Sequence, residues 1–106
     1  MTPPGRLARH ADAMLLLGRA AKRARQAMLA TCSTDMLKAI VDLSINVLTG
    51  GIRLTADERE SLRARRSVLR RVRRIEVCAA LRTYLAAQPK SFFRALTAPV
   101  RRILRR

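Results

Sequence analysis

The middle of the chain decides the fold: residues 31–51 read TCSTDMLKAIVDLSINVLTGG. The polar residues 31–34 can cap a helix, and Asp35 brings negative charge to the positive end of the helix dipole. Apolar residues then recur at the spacing of one helix face, while others lie off that stripe. Gly50 accepts the left-handed backbone that commonly ends a helix. We therefore predict a helix over residues 35–48, buried on more than one face at the centre of the fold.

Helical composition continues toward the N-terminus. Residues 7–30 are dominated by Ala, Leu, Met, Arg, Lys and Gln, which have high helix propensity. Gly18 is the weakest helix former in this stretch and is the predicted point of division into two helices. The first five residues contain two prolines and a glycine, and we expect them to form a flexible start.

Helical signals also follow the central segment. Residues 55–58, Thr-Ala-Asp-Glu, form a capping box, which is the most specific local signal in the chain. It opens a third helix that we predict over residues 56–74, with residue 87 as its furthest end. Ser91 can cap a last segment that continues to residue 106. We expect Pro99 to kink or divide this last helix, because proline has no backbone N–H.

Together these segments predict a small all-α bundle of three to four helices with one arginine-rich face. A chain of 106 residues has room for one small domain and little else. Within it we distinguish a flexible start at residues 1–5, a basic helical domain at residues 6–88 and a basic amphipathic C-terminal segment at residues 89–106. No apolar run approaches the ~20 residues of a membrane-spanning helix.

The charge of the chain is strongly unbalanced. Lys and Arg number 23 against seven Asp and Glu, which gives a formal net charge of +16. Residues 49–106 carry 16 of the basic residues and four acidic ones, so this half has a net charge of +12. A compact chain with this charge repels itself, and the usual polyanion that relieves the repulsion is nucleic acid. All but three of the basic residues are arginines, whose planar guanidinium can grip a phosphate with two hydrogen bonds.

Catalytic and metal chemistry find little support in the sequence. General acid–base catalysis needs a positioned pair of titratable groups, whereas His10, the one histidine, lies near the chain start, where we expect it to be solvated. Cys32 and Cys78 lack the CxxC spacing of a zinc site, and we expect two free thiols rather than a disulfide. Asp42 interrupts the apolar residues of the central helix. Two alternatives are open for it: a buried ion pair with an arginine of the third helix, or an ordinary exposed position. We predict a non-enzymatic protein without cofactor or metal.

The arginines of the third helix are the candidate binding residues. They form either a solvated face or a row of phosphate contacts, and the scarcity of acidic residues among them favours phosphate. No Asn or Gln lies among them to read adenine, so we expect binding to be independent of sequence. The candidate phosphate contacts on this helix are Arg63, Arg65, Arg66, Arg70, Arg71, Arg73 and Arg74. A second candidate patch at the C-terminus comprises Arg101, Arg102, Arg105 and Arg106.

The last segment leaves three alternatives open. Its apolar residues fall on one helical face and its arginines on or near the other. A basic amphipathic helix of this kind can lie on an anionic membrane. It can equally dock in a groove of a partner protein or pack against the other helices of its own domain.

Several stretches of the chain form a recognisable pattern. Residues 32–40 read CSTDMLKAI, residues 46–55 read NVLTGGIRLT, an arginine-rich helix follows, and residues 88–99 read QPKSFFRALTAP. These stretches resemble a family of small basic proteins from adintoviruses, Maverick/Polinton-type elements and adomaviruses, with the patterns S-x-D-L-x-K-A-I, N-V-L-x-G-N-V-x-L-T and Q-x-G-G-F-L-x-A-L-L-A-P. Lys90 and Ser91 stand where the family has its two glycines.

That family has been compared with the adenovirus core precursor X, whose mature peptide condenses genomic DNA. The resemblance implies a virion core protein that is packaged with double-stranded DNA and enters the host nucleus during infection. We expect it to bind and condense this DNA without sequence preference, with capsid proteins and a second copy of the chain as further candidate partners. The alternatives are a minor capsid or cement protein on the inner capsid surface and a membrane-active amphipathic module.

Overall fold

A computed structural model describes residues 5–104 of the chain, with side chains up to Arg102, and each regular element in this part is an α-helix. The predicted all-α class is therefore confirmed. The predicted count of three to four helices is wrong, since eight helices lie between residues 5 and 104. They are α1 (Gly5–Arg9), α2 (Ala11–Arg19), α3 (Lys22–Thr31), α4 (Thr34–Thr49), α5 (Ala56–Arg63), α6 (Arg66–Arg74), α7 (Cys78–Ala86) and α8 (Lys90–Leu104). Residues 1–4 of the predicted flexible start, and Arg105 and Arg106 of the second patch, lie outside the described residues.

The central helix α4 occurs where the sequence predicts it. The Ser33 hydroxyl accepts a hydrogen bond from the Met36 amide at 3.0 Å, and Gly50 ends the helix with a φ of 79°. These are the N-cap and the left-handed C-terminal residue that the flanking sequence indicates. The most deeply buried apolar side chains of α4 are Leu37, Ala39, Ile40 and Leu43. Because α4 packs against α1, α6 and α7, it forms the centre of the fold.

The N-terminal helical region divides after Gly18 and not at it. α2 continues through Gly18, and the extended backbone of Ala20 and Ala21 separates it from α3. Gly18 lies inside the helix because α8 packs closely on α2. A Cβ atom at Gly18 would lie 2.5 Å from Oγ1 of Thr97, which is closer than packed atoms approach. The glycine therefore permits a close approach of two helices rather than a chain break.

Replacing Gly18 by alanine should lower the free energy of unfolding by about 1–2 kcal/mol, because steric overlap with Thr97 outweighs the better helix propensity of alanine. Urea denaturation followed by circular dichroism measures this loss. In a Thr97→Ala background the same replacement should be neutral or stabilising, since the overlapping oxygen is gone. An equal loss in both backgrounds would contradict the contact.

The predicted third helix is interrupted twice. The first break is at Arg65, whose backbone angles are φ −112° and ψ 16° and whose Nη1 donates to the Ser61 carbonyl at 2.7 Å. The second break follows α6, where Ile75 and Val77 are extended before α7 begins. β-Branched residues favour extended backbone, which accounts for the second break. The prediction of one continuous helix over residues 56–74 is therefore wrong.

The start of α5 is confirmed in detail. The Glu58 amide donates to the Thr55 hydroxyl at 3.1 Å, and the Thr55 amide donates to the Glu58 carboxylate at 3.0 Å. This reciprocal pair satisfies two backbone donors that the first helical turn leaves without partners.

α8 is undivided, so of the two predicted effects of Pro99, a kink or a division, division does not occur. The helix runs from Lys90 to Leu104 with Pro99 inside it. Proline removes one backbone hydrogen bond from the helix, but Leu96 and Val100, on either side of Pro99, are both buried in the core. Packing on both sides of the proline therefore holds the helix together.

The apolar face of α8 completes the core. Phe92 and Phe93 are 1% exposed, and their rings meet edge-to-face with centroids 5.1 Å apart. α8 packs against α2 and α5, so the helical domain and the C-terminal segment that the sequence distinguishes contribute to one core. The apolar face of α8 therefore packs against the protein's own helices, which is one of the three alternatives for this segment. Between residues 5 and 104, no helix is both long and apolar enough to cross a membrane.

Candidate nucleic-acid interface

The arginines of α6 cover the outer side of a helix that is anchored by its inner side. Leu69 and Val72 are buried, three residues apart, and they pack α6 against α4. This register directs the arginine positions outward, because residues three and four apart share a helix face. The exposed arginines, which we call the α6 arginine surface, are Arg66, Arg70, Arg71, Arg73 and Arg74.

The α6 arginine surface is not neutralised by the rest of the described chain. The ion pairs between residues 5 and 104 involve Asp35, Asp42 and Glu58 as acids, and none of them includes an arginine of α6. Glu76 lines a surface groove of about 380 Å³ together with Arg70, Arg73 and Arg74, yet it forms no ion pair with them. Five guanidinium groups on nine consecutive residues therefore face solvent with their charge available.

The seven predicted contacts of the third helix occupy three environments. Five belong to the α6 arginine surface, and one of these, Arg71, lies over the Tyr84 ring with its guanidinium carbon 5.8 Å from the ring centroid. Arg63 is exposed at the end of α5. Arg65 is half-buried in the turn before α6, where its hydrogen bond to Ser61 engages part of the guanidinium. Arg65 is thus the least available of the seven.

The second predicted patch is mostly engaged or outside the described residues. Arg101 is exposed. Arg102 Nη2 lies 3.0 Å from Oε1 of Glu58 and also donates to the Arg53 carbonyl. Burial of Glu58 raises the pKa of its carboxyl, but hydrogen bonds from Arg102 and Thr55 outweigh this effect and lower the pKa below its ordinary value. Arg102 therefore fastens α8 to the start of α5.

The ion-pair cluster between α1 and α4 is not among the predicted features. His10 was expected to be solvated, but it is half-buried with Nε2 2.7 Å from Oδ2 of Asp35. Arg6 bridges Oδ1 of Asp35 at 3.1 Å and Oδ2 of Asp42 at 3.0 Å, and Arg9 lies 3.1 Å from Asp35. Neither of the two alternatives for Asp42, an ion pair with the third helix or ordinary exposure, holds. Asp42 is half-buried and pairs with Arg6, because α1 packs beside α4 at this point.

The spacing of these charges is a signal that could have revealed the cluster. Arg6 and Arg9 are three residues apart, and Asp35 and Asp42 are seven apart, so each pair shares a helix face. Matching basic and acidic faces on two helices indicate that the helices pack side by side.

Stability should fall in acid through Asp35. Hydrogen bonds from His10, then Arg9, lower the pKa of the Asp35 carboxyl from 3.8 to about 2. Because the folded pKa is depressed, the stabilisation is present above pH 3.8 and is lost as the pH falls through about 2. The difference in unfolding free energy between the wild type and Asp35→Asn should therefore shrink from pH 5 toward pH 2 in urea titrations. Asp12→Asn removes a carboxylate at an exposed position without an ion pair to the described chain and is the control. Equal pH dependence in the two variants would contradict the role of the Asp35 ion pairs.

Two arginines that look like surface charges are structural. Arg25 is 3% exposed, donates from Nη1 to the Ala20 carbonyl at 3.1 Å, and lies with its guanidinium carbon 5.4 Å from the centroid of Phe93. Arg82 is half-buried and donates to the Leu29 carbonyl near the end of α3 at 2.7 Å. The sequence conceals both roles, because each arginine depends on a partner that is distant in sequence or on a turn.

Two further observations concern the cysteines and the possible metal ligands of the described residues. Cys32 and Cys78 are free thiols, as the sequence predicts. Among residues 5–104 no three His, Cys, Asp or Glu side chains lie together as a metal-binding group.

No family model matches the chain, and neither the curated proteins nor the solved structures contain a significant match. The candidate interface is therefore defined by the charge and geometry of this chain's own arginines.

Proposed function

We propose that the protein is a non-enzymatic virion core protein that binds and condenses double-stranded viral DNA through sequence-independent phosphate contacts. The observation that carries the proposal is the α6 arginine surface, where five exposed guanidinium groups form no ion pair with the described residues. Guanidinium groups bind phosphate oxygens through charge-assisted and often bidentate hydrogen bonds.

The dimensions of α6 suit a duplex. A nine-residue helix is about 14 Å long. Over that distance, duplex DNA presents about eight phosphate charges. These eight charges are divided between the two strands, so about four lie on each strand along this length, a number close to the five arginines of α6. The burial of Leu69 and Val72 fixes this side of α6 relative to the core, so little ordering is needed when DNA binds.

The composition of this surface supports binding without sequence preference. Base reading relies on amide or acidic side chains in addition to arginine, and α6 contains neither Asn, Gln, Asp nor Glu. Condensation of DNA requires that the bound protein carries cations on more than one of its sides. Arg19, Lys22 and Arg23 are exposed on or beside α2 and α3, and the formal net charge is +16.

The buried face of α8 bears on the alternatives. Phe92, Phe93, Leu96 and Val100, which could anchor an amphipathic helix in a membrane, are buried within the protein. This favours the DNA-binding role over a membrane-active module. A minor capsid or cement role stays the second candidate, because a cationic surface can also lie on an acidic capsid interior.

Fluorescence anisotropy with two 30-base-pair duplexes of unrelated sequence tests the proposed activity. We expect the two affinities to agree within about threefold. If the five arginines of the α6 surface each neutralise one phosphate, log K should fall with log salt at a slope of about −4.5, and ten contacts in all would give about −9. A failure to bind at 50 mM salt would overturn the proposal.

Fractionating virus particles into shell and genome separates the core role from the cement role, since a core protein follows the genome and a cement protein follows the shell.

A further inference from the structure

A small pocket with an aliphatic floor and a cationic rim lies where α4, α5 and α6 meet. Its volume is about 110 Å³, and it is lined by Arg59, Arg63 and Arg66 together with five aliphatic residues. The aliphatic residues, which we call the floor, are Val47, Leu48, Leu54, Leu62 and Leu69. Val47, Leu62 and Leu69 belong to the core, whereas Leu48 and Leu54 are half-buried and reach the surface.

The rim of the pocket carries three arginines that are not held in ion pairs by the described residues. Arg59, Arg63 and Arg66 are exposed and form no ion pair with residues 5–104. The first two are four residues apart on α5, so they share a helix face, and Arg66 follows after the turn. Glu58, an acid of the same helix α5, pairs with Arg102 and not with a rim arginine.

We propose that this pocket binds an acidic segment of a partner protein, which inserts one leucine-sized side chain between flanking carboxylates. An apolar cavity of about 150 Å³ can hold a benzene molecule, so 110 Å³ suits a branched aliphatic side chain. The three rim arginines would pair with carboxylates on both sides of this anchor. A second copy of the chain is a poor occupant, because two chains with a formal charge of +16 repel each other.

The pocket overlaps the proposed DNA interface at Arg63 and Arg66. An acidic segment bound there would compete with duplex DNA for these two arginines and would favour release of the DNA. This competition rests on the proposed function, whereas binding of the segment itself does not. Arg59 provides a way to separate the two activities, since it lines the pocket and is not among the proposed phosphate contacts.

Two labelled peptides of equal charge test the pocket without DNA. The probe has one leucine between two runs of four glutamates, and the control has serine in place of the leucine. At 150 mM salt the leucine peptide should bind about 10-fold more tightly, because burial of the side chain adds to the same charge attraction. It should also shift the methyl NMR signals of Leu54 and Leu62. Equal binding of the two peptides, or binding of neither, would overturn the proposal.

Two single substitutions with the same change of charge locate the binding. Arg59→Gln should weaken the leucine peptide about fivefold and leave duplex affinity within about twofold. Arg74→Gln should do the reverse, with about a fivefold loss of duplex affinity at 150 mM salt. If the protein ignores DNA but still prefers the leucine peptide, the proposed function fails and the pocket stands. If dodecanoate fills the pocket while the leucine peptide shows no preference over its control, the proposal of an acidic segment fails.

Discussion

Replacing Arg70, Arg73 and Arg74 together by glutamine should weaken duplex binding about 100-fold at 0.15 M salt and make the salt slope shallower by about 2.7. Each phosphate contact contributes about 0.9 to the slope, which amounts to about 0.7 log units of affinity at this salt concentration. The three arginines line one groove and form no ion pair with the described residues. Fluorescence anisotropy at four salt concentrations measures both quantities.

A matched control removes the same charge elsewhere. Arg19, Lys22 and Arg23 are exposed on or beside α2 and α3, and replacing all three by glutamine also lowers the net charge by three. We expect this variant to lose less than 10-fold in affinity and to keep its slope within about 1 of the wild type. Equal losses in the two triple variants would mean that binding follows net charge rather than the α6 arginine surface. Thermal unfolding should be similar in both variants, because all six side chains are exposed.

Replacing Phe93 by alanine should lower the free energy of unfolding by about 3–5 kcal/mol, the largest loss that we expect from one substitution. The ring is 1% exposed and meets Phe92 edge-to-face with centroids 5.1 Å apart. It also lies beneath the guanidinium of Arg25 at 5.4 Å, so its removal leaves a buried charge without this contact. Urea denaturation followed by circular dichroism measures the loss.

The outcome at Phe93 bears on the whole fold, because small domains have only about 5–15 kcal/mol of stability. Phe93→Leu is the conservative control and should lose less than about 1.5 kcal/mol, since it keeps most of the apolar volume. A loss below 1 kcal/mol for the alanine variant would show that α8 does not pack on α2 as described. Loss of DNA binding in Phe93→Ala should follow unfolding, and it should be restored in Phe93→Leu.

Local signals in the sequence predict the parts of the fold that local chemistry determines. The cap at Ser33, the left-handed Gly50 and the capping box at Thr55 and Glu58 all occur as expected. Each involves residues within four positions of one another, so a single stretch of sequence contains the full signal. The outward register of the α6 arginines follows in the same way from the buried Leu69 and from helical periodicity.

The features that the sequence conceals depend on contacts between distant segments. Gly18 appears as a helix breaker until α8 is seen against α2, and Arg25 appears as one more surface charge until Phe93 is seen beneath it. The break at Arg65 occurs in a run of good helix formers, where propensity gives no warning. Breaks of this kind make the number of helices larger than predicted, while the all-α class is as predicted.

The most direct test of the account is to observe the arginines while DNA binds. Two-dimensional NMR of the arginine Nε–Hε groups, recorded as a 20-base-pair duplex is added at low salt, reports on each guanidinium separately. We expect the largest chemical-shift changes at the α6 arginine surface, which comprises Arg66, Arg70, Arg71, Arg73 and Arg74. The signals of Arg25 and Arg82 should be nearly unchanged. Changes confined to the arginines of α2 and α3, or equally small at every arginine, would contradict the account.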